Sequence, residues 1–113
     1  MKLFFSALAT LMVLATTALA GDKVSGTFSF DDDRCKGLGK GQHCNMSFLI
    51  EGDAAKVLYE NMKDKGVHEE CTGGTEKSEK SGLHCIKGTD GKYSCDFGYE
   101  FKDSAFGGSG IDC

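Results

Sequence analysis

Between Tyr93 and Lys102 the chain alternates without a slip. Tyr93, Cys95, Phe97, Tyr99 and Phe101 fall on one face; Lys92, Ser94, Asp96, Gly98, Glu100 and Lys102 fall on the other. Alternation with a period of two predicts a strand with one buried face. The same pattern recurs twice upstream. In Lys23–Phe30, Val24, Gly26, Phe28 and Phe30 oppose Ser25, Thr27 and Ser29. In Asn45–Glu51, Met46, Phe48 and Ile50 point inward. Asp31-Asp32-Asp33-Arg34 ends the first of these runs, because aspartate is a poor strand former and a good turn former.

After Gly52-Asp53 the period changes. At 100° per residue, Ala54, Ala55, Leu58, Tyr59 and Met62 share one arc, while Lys56, Glu60, Lys63 and Asp64 face away. This predicts an amphipathic helix of about three turns, with Asp53 as its N-cap and Gly66 as its left-handed stop. Val67–Cys71 carries no clear period. Thr72–Ser81 is polar, glycine-bearing and predicted to be an exposed loop.

Gly82–Lys102 is then a hairpin whose turn admits two registers. A two-residue Asp90-Gly91 turn sets Ile86 against Cys95. A three-residue Thr89-Asp90-Gly91 turn with Gly91 left-handed sets Cys85 against Cys95 and Leu83 against Phe97. The second is favoured because it puts Leu83 beside the aromatic face and brings two cysteines within bridging distance. The expected fold is α+β: an antiparallel sheet of about four strands in the order β-β-α-β-β, with one helix on the aromatic face.

The first twenty residues change how the cysteines are read. MKLFFSALATLMVLATTALA has an early lysine, an apolar centre and an Ala18-Leu19-Ala20 ending, the layout of a secretory signal peptide. Its apolar run is at the short end for a membrane span and has no basic stop-transfer flank, so no stable membrane anchor is expected. The domain is then residues 21–113, exported to the periplasm or secreted, and all six cysteines fall inside it. In an oxidising compartment an even count implies a disulfide framework, with fifteen connectivities open by arithmetic. Cys85–Cys95 follows from the hairpin register. For the other four, the pairing taken is Cys35–Cys44 and Cys71–Cys113, the last as a clasp on the glycine-rich tail.

Charge narrows the partners. The formal net charge is −4, and removal of Lys2 with the leader makes the domain one unit more acidic. Nucleic acid is therefore not an expected partner, because such binding rests on cationic contacts to phosphate.

Candidate chemistry is sparse. His43, His68 and His84 each lie near a cysteine, but no C-x-x-C or H-x-x-x-H spacing accompanies them, so neither a zinc site nor any other cofactor is expected. Asp31-Asp32-Asp33 lacks the ligand spacing of a calcium loop. Gly37–Gly41 lacks the spacing of a phosphate loop. Asn45-Met46-Ser47 is a glycosylation sequon that matters only in a eukaryotic host. A histidine-dependent hydrolase would draw on His43, His68 or His84 with Glu69, Glu70 or Asp96. For binding, the loop closed by Cys35 and Cys44 projects Lys36, Leu38 and Lys40, as in some protease inhibitors. The Tyr93–Phe101 face is expected to be core beneath the helix.

The run Gly52–Lys63 (GDAAKVLYENMK), followed by Lys80–Cys85 (KSGLHC) and Lys92–Phe97 (KYSCDF), resembles small exported bacterial proteins of unknown function with a G-x-A-A-K-x-L-Y helix and a C…Y-x-C-x-F hairpin. The Cys35–Cys44 loop and the Cys113 tail are not part of that pattern. The resemblance implies a bacterial periplasmic or secreted setting, adds weight to Cys85–Cys95, and implies no activity. The sequence thus leads to a noncatalytic binding or inhibitor-like module with an unknown protein or surface partner. A small secreted histidine-dependent hydrolase is the alternative, and an envelope component is a third class.

Overall fold

The computed structural model describes residues 21–32, Cys35 and residues 44–109. The leader, Lys36, Leu38, Lys40, His43 and Cys113 lie outside the described residues. Among the described residues eight elements follow one another: β1 (Ser25–Phe30), β2 (Asn45–Glu51), α1 (Asp53–Asn61), β3 (Val67–His68), β4 (Thr75–Ser78), β5 (His84–Lys87), β6 (Tyr93–Glu100) and β7 (Ala105–Gly107). All strand pairs are antiparallel, in the order β1-β2-β6-β5-β4-β3, and β7 also pairs with β6. The result is a small α+β fold stapled by Cys35–Cys44 and Cys85–Cys95.

β6 is the axis of the sheet. One edge pairs from Ser94 to Glu100 with β2, setting Met46 against Tyr99, Phe48 against Phe97 and Ile50 against Cys95. The other edge is shared end to end: β5 takes Tyr93–Asp96 and β7 takes Gly98–Glu100. The hairpin adopts the three-residue register. Cys85 stands opposite Cys95 and Lys87 opposite Tyr93. Gly88 N–H donates to Lys92 O at 2.8 Å, and Gly91 is left-handed with φ 79°.

The helix does not cover the whole aromatic face. Ala55, Tyr59 and Met62 bury with Cys85 and Cys95, while Ile50, Leu58, Leu83 and Tyr93 pack around them. Two fully buried cysteines at the centre of so small a cluster mean that the bridge is itself core. The helix begins at Gly52, which has φ 73° and no side-chain cap, so Asp53 is its first residue and not its cap. It ends at Asn61 with Met62 already extended. Gly66 (φ 86°) turns the following loop toward β3 and does not stop the helix.

Three short strands extend the expected four. β4 lies within the stretch expected to be an exposed loop, and its place comes from its neighbours. Glu76 pairs with Ile86, Lys77 with Cys85 and Ser78 with His84. Lys77 spreads its stem over the core edge, its Nζ 4.3 Å from the Tyr59 ring centre and 3.0 Å from Tyr59 O. Asp64 ties the loop to β4, accepting from Gly66 N at 3.0 Å and Ser78 N at 2.9 Å. The bond from Ser78, then that from Gly66, holds its carboxyl below the usual range.

Candidate functional site

The two faces of the sheet carry different chemistry. On the face away from α1, β4, β5 and β6 present Glu76, His84 and Asp96 in one row. His84 Nδ1 lies 2.9 Å from Asp96 Oδ2, and Nε2 lies 2.8 Å from Glu76 Oε2. The other Asp96 oxygen accepts from the Ser109 hydroxyl, and Ser109 O accepts from the Ser47 hydroxyl. A row running from β4 to β2 therefore fastens the tail after β7 to the sheet. Burial pushes the His84 pKa down, but hydrogen bonds to Asp96 and Glu76, together with their charges, outweigh it. The net shift is upward from 6.5.

Chemically, this row resists acting as a general base. A base needs a ring nitrogen open to the proton it takes, and both His84 nitrogens already face carboxylates. Nor is it a Ser–His–Asp relay, since Ser109 donates to the carboxylate and not to the ring. Its best-supported local role is to hold β4, β5, β6 and the tail together.

Among the described residues the other acid–base candidates are His68, Glu69 and Glu70, of which Glu69 feels the charge of His84. His68 is exposed on β3 and Glu70 is exposed in the next turn. Glu69 is buried, and its carboxylate accepts from Cys71 N (2.8 Å), Thr72 N (2.7 Å) and the Thr72 hydroxyl. The Thr72 hydroxyl and then the Thr72 amide hold its pKa below the ordinary carboxylate value. Asp31, Cys35 and Cys44 gather three ligand-type atoms. Both sulfurs there are spent in a disulfide, and Asp31 accepts from Asn45 N at 3.2 Å. Cys71 carries no free thiol; the partner expected for it, Cys113, lies outside the described residues.

On the helix-bearing face, α1 occupies the Tyr93–Cys95 end. Beyond it lies a connected field of rings: Phe28–Phe30, Phe30–Phe101, Phe101–Tyr99, Tyr99–Phe106, Phe106–Phe97 and Phe97–Phe48, with centroids 4.9 to 6.3 Å apart. None of these rings is buried. Phe28 is 63% exposed and Phe106 67%. With aromatic side chains of ~200 Å² each, these two alone leave on the order of 250 Å² uncovered. The half-buried rings between them bring the patch to the size at which exposed apolar surface is usually functional. The face expected to be core is core only where the helix reaches.

A groove of about 860 Å³ opens at the other end of the molecule, between the start of α1 and the β5–β6 turn. Glu51, Asp53, Lys56, Asp90 and Lys92 are among its lining residues. Its lining carries charges of both signs.

Sequence reasoning missed Glu76, Ser109 and Phe106 as site members. Glu76 lies in a stretch whose polar composition predicts a loop, and the other two join only through β7 and the tail. For Glu76 no sequence signal was available, since Thr75–Ser78 is polar at every position. Comparison with protein families, with curated proteins and with solved structures finds no match for this chain.

Proposed function

We propose that the domain is an exported, noncatalytic interaction module that holds a protein or surface partner against its ring-bearing sheet face. One observation carries this reading: seven connected aromatic rings stand outside the core, two of them about two-thirds exposed. Leaving that much apolar surface in water is costly unless something covers it. Export is supported by the leader-like first twenty residues and by disulfides suited to an oxidising compartment. Among the described residues no helix is long and apolar enough to cross a membrane. The commitment of both His84 nitrogens to carboxylates favours binding over hydrolysis.

The experiment compares the oxidised wild-type domain with a Phe28→Ser/Phe106→Ser variant and with a variant carrying alanine at His43, His68 and His84. Each is immobilised and exposed to periplasmic extract and culture medium. The proposal expects a partner retained by the wild type and the histidine variant but lost from the phenylalanine variant, with far-UV dichroism unchanged. Retention by the phenylalanine variant, or by none of the three, overturns it.

A further inference from the structure

Among the described residues the outermost strand, β1, is bonded on one side only. Asp31 N–H donates to Asn45 O at 3.1 Å, and the Phe30–Met46 to Ser25–Glu51 register continues without a bulge. Odd-numbered residues therefore turn their backbone groups toward β2. Gly26, Phe28 and Phe30 turn their N–H and C=O groups outward, as Val24 does if the alternation continues, and Phe28 and Phe30 lie on the ring-bearing face. Natural sheets blunt such an edge with proline, lysine, a bulge or a covering element. Ser25–Phe30 (SGTFSF) has no proline, no charge and no bulge, and it is exposed up to Phe30.

We propose that this edge pairs with the same edge of a second copy, antiparallel about a two-fold axis through Thr27. Gly26 then lies opposite Phe28 of the second copy and Val24 opposite Phe30, so every outward backbone group from 24 to 30 gains a partner. Charge selects the direction. Asp22 and Lys23 precede the strand and Asp31 and Asp32 follow it, so antiparallel pairing sets Lys23 against Asp31 of the second copy at both ends, beside one like-charged Asp22–Asp32 contact. Parallel pairing would align like charges. The ring field then runs unbroken across the seam. This goes beyond the binding reading above, since it rests on the open backbone edge and not on ring exposure.

The test is sedimentation equilibrium of the oxidised mature domain, with amide exchange followed by NMR at high and low concentration. A dimer is expected, with Gly26, Phe28 and Phe30 amides losing protection on dilution while Thr27 and Ser29 stay protected through β2. Thr27→Lys, which sets two cations opposite each other on the axis, is expected to weaken association at least tenfold. Phe106→Ser, on distant β7, is expected to leave it intact. A monomer up to ~1 mM, a dimer indifferent to Thr27→Lys, or protection that changes without the even–odd alternation overturns the proposal. If the lysine variant does not fold, the wild-type exchange pattern alone decides.

Discussion

Removing the Cys85–Cys95 bridge tests the claim that sulfur forms the centre of this fold. The bridge closes ten residues of sequence and Cys35–Cys44 closes nine. The chain-entropy relation therefore assigns them nearly equal contributions, about 2.7 and 2.6 kcal/mol. They differ in surroundings. Cys85 and Cys95 are fully buried against Ala55, Tyr59 and Met62, whereas Cys35 and Cys44 lie outside that cluster. Cys85→Ala/Cys95→Ala leaves a void of about two methyl groups beneath the helix, at ~1 kcal/mol each. The expected loss is about 4–5 kcal/mol, most of the stability of a small domain. Urea unfolding followed by dichroism should show a midpoint about 2 M lower, taking a slope of ~2 kcal/mol per molar. Cys35→Ala/Cys44→Ala should lose at least 1 kcal/mol less. Equal losses in the two variants, or a loss below ~2 kcal/mol for the first, would refute the reasoning.

The remaining predictions concern single contacts. Because the His84 pKa is raised on folding, its contribution is fully present below pH 6.5 and fades as pH rises through the higher folded value. Wild-type stability should therefore fall as pH rises from 6.5 through the higher folded value, and His84→Gln should flatten that dependence in a melting series; an unchanged slope counts against the Asp96–His84–Glu76 row. Gly82 is left-handed (φ 98°), and a Cβ there would lie 2.0 Å from the Gly107 carbonyl carbon. Gly82→Ala should cost about 2–3 kcal/mol and should strip exchange protection from β7 first. Lys77→Met keeps the aliphatic stem but loses both the bond to Tyr59 O and the cation over its ring; a loss of about 1 kcal/mol is expected in urea unfolding.

Where one strand could reveal itself by its own pattern, the sequence sufficed. β1, β2 and β6 announce themselves by alternation, and α1 by its Ala55–Tyr59–Met62 stripe. The Thr89-Asp90-Gly91 turn fixes the β5–β6 register, and with it the Cys85–Cys95 bridge, because contacts so near in sequence are set by local geometry. β4 and β7 gave no such signal. Thr75–Ser78 has no apolar residue and is a strand because β5 offers it hydrogen bonds and Tyr59 offers Lys77 a ring.

The candidate sites were less legible still. His84 was visible as a histidine, but its neighbours Glu76 and Asp96 stand beside it only once β4, β5 and β6 are in register. The ring field needed the length of the helix to be measured against the length of the sheet. Nine helical residues cover one end of β6, and the phenylalanines at the other end stay in water. The sequence by itself determined which residues alternate and which cysteines can meet across a hairpin, since both are short-range. Only the tertiary structure decided what the helix leaves bare, because coverage depends on how long packed elements are relative to one another, and no local pattern records that.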